Sequence, residues 1–147
     1  MFGELYHARV LELAAEIPHL GRLQAPHGAA TKVSRICGSE VRVELALEDG
    51  AVTAFAIEPK ACALGQAVAS VLARHALGAT PGEIRAARDA LRAMLQDGAA
   101  PPEGRFWELR HVEAVRDYPP RRLSTMLAFD AAVAALDMAQ ARGPACG

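Results

Sequence analysis

The pattern of apolar and polar residues predicts an amphipathic helix near the start of the chain. Apolar side chains recur at the three- and four-residue spacing of a helix face over residues 2–17, and charged side chains lie between them. Pro18 cannot continue a helix and is predicted to end it. Residues 19–31 contain glycine and proline without periodicity, which indicates a loop leading to an extended segment near residues 32–35.

The spacing of apolar residues then changes to that of a strand. Residues 41–47 alternate apolar and polar side chains, as in a strand with one buried face. Asp49-Gly50 is a strong signal for a two-residue hairpin turn, and residues 52–57 supply the return strand. Pro59 is predicted to close that strand. The sequence therefore predicts an antiparallel hairpin.

Helical patterns fill the rest of the chain. The predicted helices cover residues 62–77, 80–96, 106–115 and 121–141. Thr80-Pro81-Gly82-Glu83 combines a hydroxyl cap, a proline in the first turn and a glutamate that reaches back, which is typical of a helix start. Phe106 and Trp107 fit the spacing of side chains that face a core.

One short antiparallel sheet and several helices define an α+β fold, because too few strands are present for a doubly wound sheet. We expect about three strands, formed by the hairpin and the extended segment before it, with the helices packed against them. A chain of 147 residues is long enough for one hydrophobic core. We therefore expect a single domain over residues 1–142 and a flexible tail at residues 143–147.

Charge and composition argue against two classes of partner. A formal net charge of −1 gives no general attraction to nucleic acid, although arginines gather late in the chain. No apolar run approaches the roughly 18 residues that a membrane helix requires, and no export signal is visible. We expect a cytoplasmic protein that binds neither nucleic acid nor a membrane.

The candidate chemistry lies in two of the three cysteines. An odd cysteine count in a reducing cytoplasm favours free thiols over disulfides. Cys37 lies in the turn-like segment Ile36-Cys37-Gly38-Ser39, and Cys62 lies in the first turn of a predicted helix, where backbone N–H groups favour a thiolate. Cys62 also suits a small apolar position in an alanine-rich helix. Cys146 lies in the tail and is interpreted as incidental.

Several short motifs occur in a recognisable order along the chain. They are Cys37-Gly38, the hairpin, Ala61-Cys62-Ala63-Leu64, Tyr118-Pro119-Pro120-Arg121 and Ser124-Thr125-Met126-Leu127-Ala128. This order resembles the NifU-like N-terminal, or IscU-type, family of iron-sulfur cluster assembly scaffolds over nearly the whole chain. The resemblance implies a SufE/NifU-like α+β fold in which three cysteines converge on a [2Fe-2S] cluster or a zinc ion. It assigns Cys37 and Cys62 as two of these ligands.

The sequence departs from the family pattern beside that implied site. Ser124 stands at the third cysteine position, and Ser39 stands where the family turn carries an aspartate. A serine hydroxyl is a poor ligand for a soft iron-sulfide centre. The histidine that often precedes the third cysteine is replaced by Leu123. The chain is therefore identified as a variant with serine at the third cysteine position.

The resemblance also implies partners. A cysteine desulfurase would supply sulfur, and apo-protein acceptors would receive the cluster, so the chain itself is a scaffold or carrier and not an enzyme. Tyr118, Pro119, Pro120 and Arg121 loosely resemble the proline-containing motif by which scaffolds contact their chaperone, and they are the candidate partner-binding residues.

Two cysteines cannot complete a four-thiolate site, so three arrangements remain open. Two protomers of a homodimer could each give Cys37 and Cys62 to one bridging cluster. A monomer could hold iron or zinc with help from a loop histidine or from the weak ligand positions Ser124, Ser39 and Glu40. Alternatively, the chain could be a degenerate, metal-free adaptor for the cluster-assembly machinery.

A thiol enzyme ranks below these alternatives. His75 lies on the same predicted helix as Cys62 but about 20 Å along its axis, at 1.5 Å per residue. That separation excludes a catalytic cysteine-histidine pair within this helix. His75 is instead predicted to interact with the carboxyl end of the helix.

Overall fold

The computed structural model describes residues 5–35 and 38–142. In chain order the elements are α1 (Ala8–Ala15), β1 (Gly28–Val33), β2 (Glu40–Glu48), β3 (Ala51–Lys60), α2 (Ala63–His75), α3 (Pro81–Asp97), a long 3₁₀ helix (Gly104–Asp117), a short 3₁₀ turn (Pro119–Arg121) and α4 (Arg122–Ala141). None of the helices in this described part is both long enough and apolar enough to cross a membrane. The predicted tail, residues 143–147, lies outside the described residues.

The three strands form one antiparallel sheet with the order β1-β2-β3. Asp49 and Gly50 form the turn between β2 and β3 with φ of 53° and 79°. Positive φ at both turn residues matches the right-handed twist of the flanking strands and explains the Asp-Gly pair. The predicted hairpin is confirmed, and with it the α+β fold with a three-stranded sheet.

Helices cover one face of this sheet and form the core with it. α4 packs against β1 and β2, and α2 packs against β3. At Gly28 the backbones of β1 and α4 approach so closely that an added Cβ would overlap the carbonyl oxygen of Ala135. A glycine at the start of β1 therefore sets the spacing between the sheet and the last helix.

Two strand boundaries differ from the prediction. β1 begins at Gly28, within the stretch predicted to be a loop, and ends at Val33. β3 continues through Pro59 to Lys60. Because β3 lies at the edge of the sheet, the missing N–H of a proline can be accommodated there.

The prediction of one continuous helix over residues 2–17 is wrong for the described residues. α1 begins at Ala8, after an extended residue, His7, with φ −68° and ψ 169°. The His7 ring is hydrogen bonded through Nε2 to the carbonyl oxygen of His111 at 2.8 Å. A contact with a residue so distant in sequence cannot be read from a local apolar pattern.

The later helices largely follow their local signals. At the start of α3, Thr80 and Glu83 form both hydrogen bonds of a capping box, and Gly98 ends the helix with φ 71°. The segment predicted as a helix over residues 106–115 belongs instead to the long 3₁₀ helix, which is interrupted by non-helical φ and ψ at Phe106 and Val112. Its buried apolar residues Phe106, Leu109, Val112 and Val115 recur every three positions, which is the residue spacing of 3₁₀ turns.

Trp107 is therefore not a core residue. Its side chain is 44% exposed, and the guanidinium of Arg110 lies over its ring at 5.4 Å from the centroid. The prediction that Trp107 faces the core is wrong because it used the spacing of an α-helix.

A buried carboxylate joins α1 to the rest of the domain. The Glu108 side chain is only 7% exposed. Its Oε2 accepts a hydrogen bond from Arg9 Nη2 at 2.6 Å, and its Oε1 lies 3.1 Å from His75 Nε2. Burial raises the pKa of Glu108, but the hydrogen bonds and charges of Arg9 and His75 outweigh burial and hold that pKa below its ordinary value. His75 thus pairs with a side chain on the 3₁₀ helix, beyond the predicted interaction with its own helix end.

Replacing Glu108 by glutamine is expected to destabilise the protein by about 1–3 kcal/mol at neutral pH. A carboxyl with a lowered pKa in the folded state stabilises above its unfolded pKa of about 4.3, and this contribution is lost as pH falls through the folded pKa. The difference in unfolding free energy between Glu108→Gln and the unsubstituted chain should therefore shrink below about pH 4.

Urea unfolding at several pH values measures this difference. Glu103→Gln is the matched control because Glu103 is exposed on the same stretch of chain. A difference for Glu108→Gln that stays constant from neutral to acidic pH would contradict the ionic role of Glu108.

Candidate metal centre

The candidate site lies at the end of the sheet where β2 begins and β3 finishes. Glu40 pairs with both Val33 on β1 and Lys60 on β3. A short loop closes β1 onto β2 at this end, with Ser34 N–H donating to Ser39 O and Gly38 N–H donating to Ser34 O, both at 2.8 Å. Ile36 and Cys37 lie outside the described residues, and the assignment of Cys37 as a ligand stays a prediction.

Cys62 lies at the same end, two residues after β3. It is the N-cap of α2, with extended φ and ψ of −67° and 170°, and its side chain makes no capping hydrogen bond. The thiol is free and half-buried. Cys62 is therefore the residue at which the chain enters α2.

Ser124 lies next to Cys62 although 62 positions separate them in sequence. Its Oγ is 3.6 Å from Cys62 Sγ and donates a hydrogen bond to Arg121 O at 3.1 Å. Thr125 Oγ1 donates to the same carbonyl oxygen at 2.7 Å. The first turn of α4 therefore presents a buried hydroxyl to the first turn of α2.

Gly65 permits this close approach of the two helices. An added Cβ at Gly65 would lie 2.8 Å from Ala61 Cβ and 3.1 Å from Ser124 O. Gly65 was not among the residues predicted from the sequence to shape the site. The available signal was a glycine inside an alanine-rich helix, where a packing reason is common.

The spacing of Cys62 and Ser124 suits two ligands of one metal ion. Two sulfur ligands at the tetrahedral angle and a Zn–S distance of about 2.3 Å are separated by about 3.8 Å. The observed Sγ to Oγ distance is 3.6 Å. The same distance corresponds to a hydrogen bond between the thiol and the hydroxyl. The geometry thus suits a metal or a hydrogen bond, and the chemistry fits a metal only in part, because a neutral hydroxyl is a weak ligand for iron-sulfide centres.

The other predicted positions lie in the loop before β2, at the start of β2 and in the segment that leads into α4. Ser39 is buried in the loop before β2, and Glu40 is half-buried at the first position of β2. Tyr118 packs partly against the core, and Pro119 and Pro120 are exposed in the 3₁₀ turn that leads into α4. These ligand and partner-binding assignments, including that of Arg121, stay predictions.

The loop histidines are engaged away from Cys62. His27 Nδ1 accepts a hydrogen bond from Leu47 N–H at 3.0 Å, and His19 is an exposed residue with φ 61° that stacks edge-on against Phe55. Among residues 5–35 and 38–142, no group of three or more histidine, cysteine or acidic residues could hold a metal ion. A site within one chain would therefore need a ligand from outside this described set.

The late arginines divide between the two ends of α2. Arg105 pairs with Glu83 and approaches the carbonyl oxygens of His75 and Leu77, so it lies at the end of α2 opposite Cys62. Arg122, beside Ser124, donates to Arg116 O at 2.6 Å. The arginines that gather late in the chain therefore do not all lie near the candidate site.

Comparison with known proteins identifies the family. The model of the NifU-like N terminal domain matches residues 5–143. The crystal structure of the N-terminal part of a nitrogen-fixing NifU-like protein from Brucella abortus is 46% identical, with a TM-score of 0.94, over 97% of this chain and 99% of that chain. No curated protein matches the chain.

A more distant structure shares the fold. It is the protein named as an iron-sulfur cluster assembly scaffold for the SUF system of Fervidobacterium islandicum AW-1, 19% identical with a TM-score of 0.83, over 91% of this chain and 98% of that chain. The resemblance drawn from the sequence motifs is thereby confirmed, and the chain belongs to the family of NifU-like N-terminal domains.

Proposed function

We propose that this protein is a scaffold or carrier in iron-sulfur cluster assembly and that Cys37 and Cys62 are its metal ligands. The observation that carries the proposal is the 3.6 Å separation of Cys62 Sγ and Ser124 Oγ. Membership of the NifU-like family supports the scaffold role. The cargo is iron, a [2Fe-2S] cluster or zinc, and it is a substrate that passes through the protein.

The connectivity of the sheet supports Cys37 as the second thiolate. Four residues, 35–38, join the hydrogen-bonded residues Ser34 and Ser39, so this loop belongs to the end of the sheet that also holds Lys60 and Cys62. Cys37 is adjacent in sequence to Gly38, whose N–H donates to Ser34 O. We therefore propose that Cys37 supplies the second thiolate to the ion that Cys62 binds.

The shortage of ligands supports a shared site between two protomers. A [2Fe-2S] cluster takes four thiolates, and two copies of the chain supply that number from Cys37 and Cys62. In a single chain, Ser124 Oγ or Glu40 would complete the set around iron or zinc with lower affinity. We therefore propose a homodimer for the cluster-bound form.

A metal-free adaptor is the second candidate function. The observation that favours it is that the buried hydroxyl of Ser124 already donates a hydrogen bond to Arg121 O, so this side chain is satisfied without a metal. In that role, Tyr118 to Arg121 would contact the assembly machinery through the exposed prolines of the 3₁₀ turn.

The scaffold role implies two kinds of partner protein, a sulfur donor and a cluster acceptor. A cysteine desulfurase would transfer the outer sulfur of its persulfide to a thiolate of the site and recover its own thiolate. An external two-electron donor would reduce each transferred sulfur to sulfide, and apo-protein acceptors would take the finished cluster. Cysteine ligands bind metal as thiolates, so affinity should fall as pH falls and protons compete. Free thiols persist in a reducing compartment, which is consistent with the cytoplasm. The protein itself holds cargo without turning over a substrate.

Replacing Cys62 by alanine is expected to remove most of the iron-sulfide colour formed on anaerobic reconstitution, because one of two soft ligands is lost. Zinc affinity should fall about a hundredfold, since a structural zinc site of about 10–16 kcal/mol shares that energy among four ligands. Visible absorption measures the cluster, and competition with a chelator measures zinc.

Cys146→Ala is the matched control and should retain full colour. Size-exclusion chromatography of the reconstituted protein separates the arrangements, since colour on a dimer supports the shared site and colour on a monomer supports the mixed-ligand site. No metal uptake by the unsubstituted chain would favour the adaptor. Unchanged metal content in both Cys62→Ala and Cys37→Ala would show that the ligand assignment is wrong.

A further inference from the structure

The sheet has one edge that is covered and one that is open. On β3, Ile57 N–H donates to His19 O at 2.9 Å and Ile57 O accepts from Gly21 N–H. Further along the same strand, Val52 N–H donates to Ala79 O, and Val52 O accepts from Gly78 N–H. Two loops therefore occupy the outer hydrogen-bonding groups of Val52 and Ile57 on β3.

The outer edge of β1 is different. Ser34 N–H donates to Ser39 O across the ladder, and antiparallel hydrogen bonding alternates along a strand, so the N–H groups of Thr31 and Val33 point away from β2. Ala29, which has the same parity, donates outward to Met138 Sδ at 3.5 Å. Within the described part of the chain, no comparable partner lies on the outer groups of Thr31 or Val33.

This open edge is exposed and basic. Thr31, Lys32 and Val33 are all exposed, with Val33 at 56%. A groove of about 320 Å³ borders the edge and is lined by Lys32, Arg88, Arg92, Asp130, Val133, Ala134 and Asp137.

Among the described residues no carboxylate forms a close ion pair with Lys32, although Asp130 interacts with its charge at longer range. Asp137 pairs with Arg85 at 2.6 Å, and Asp130 lies 3.7 Å from Arg92. Lys32 and the exposed Arg35 thus give the strand and the start of its loop a positive charge.

The positive charge at Lys32 indicates which kind of strand can pair with the open edge of β1. A second copy of the chain in antiparallel pairing would bring two lysines from position 32 close together, and edge lysines in native sheets oppose self-association in this way. An extended segment with acidic side chains would meet Lys32 favourably while its backbone pairs with Thr31 and Val33.

We propose that the open edge of β1 binds an extended acidic segment of a partner protein by strand addition. β1 leads directly into the loop of Cys37, four residues after Val33. A segment bound there would continue toward that loop at about 3.3 Å per residue. That the β1 edge docks a cluster acceptor rests on the proposed function, whereas binding of the acidic segment to this edge needs no metal.

Amide hydrogen exchange of the metal-free protein tests this directly, with the hexapeptide Val-Glu-Val-Glu-Val-Glu as the probe. At a peptide concentration about ten times its Kd, exchange at Thr31 and Val33 should slow about tenfold. The peptide with lysine in place of glutamate should give no such protection. Lys32→Glu should weaken binding of the acidic peptide by roughly tenfold, whereas Lys60→Glu, at the end of β3, should leave it unchanged.

Three outcomes would overturn the proposal. The acidic peptide could leave exchange at Thr31 and Val33 unchanged, or the lysine peptide could protect them equally. Protection that rises with protein concentration in the absence of peptide would instead identify a second copy as the occupant. Because the protein in this test carries no metal, these results are independent of the reconstitution of Cys62→Ala.

Discussion

Replacing Ser124 by cysteine is expected to tighten zinc binding by about a hundredfold, because each ligand of a four-ligand zinc site contributes about a quarter of the binding free energy. The substitution supplies a third thiolate where the fold already presents an oxygen 3.6 Å from Cys62 Sγ. Competition titration against a chromophoric chelator under anaerobic conditions measures the change. The gain should diminish at low pH, because protons compete with the metal for the thiolate.

The surroundings of Ser124 are suited to this change. Serine and cysteine differ by one atom, and Gly65 already spaces α2 from α4 at this point. Ser124 Oγ donates to Arg121 O, but Thr125 Oγ1 also donates there at 2.7 Å. Loss of the serine hydroxyl therefore leaves that carbonyl oxygen hydrogen bonded, and the new thiol can turn to a metal without an unpaired buried acceptor.

Ser70→Cys is the matched control. Ser70 is buried on α2, and its Oγ donates to Glu16 O at 3.2 Å, so the variant adds one buried thiol away from Cys62. Its zinc affinity should equal that of the unsubstituted chain. Equal affinity for Ser124→Cys would show that this end of the two helices is not a metal site.

The parts of the fold that could be predicted are those coded by neighbouring residues. Asp49-Gly50 specifies its turn through the positive φ that both residues adopt, and Thr80 with Glu83 specifies the start of α3 through two local hydrogen bonds. Such signals span two to four neighbouring positions, so they do not depend on contacts with distant parts of the chain.

The parts that could not be predicted depend on contacts between distant residues. The break at His7 accompanies a hydrogen bond to His111, and the 3₁₀ geometry of residues 104–117 changes the spacing that separates Phe106 from the exposed Trp107. The partners of Glu108 come from α1 and α2. An apolar pattern read with one assumed period carries no information about these contacts.

The candidate site shows the same division. The helix start at Cys62 has a local signal, because alanine-rich helical residues follow Pro59. The closeness of Ser124 to Cys62 has none, and the sequence placed them together only through the resemblance to a family. The pairing depends on Gly65, which lets the two helices meet at their first turns.

Replacing Gly28 by alanine is expected to destabilise the protein by about 3 kcal/mol or more, at the upper end of the range for overpacking. The new Cβ would overlap the carbonyl oxygen of Ala135, and a backbone atom within α4 cannot move aside as a side chain can. The melting temperature should fall by roughly 6–12 °C.

Gly82→Ala is the control, since the atom nearest to an added Cβ, Thr80 Oγ1, would lie 3.8 Å from it. That variant should melt at the same temperature or slightly higher, because alanine favours the helix. Circular dichroism melting compares the two, and equal melting temperatures would show that β1 and α4 are not held in backbone contact at Gly28.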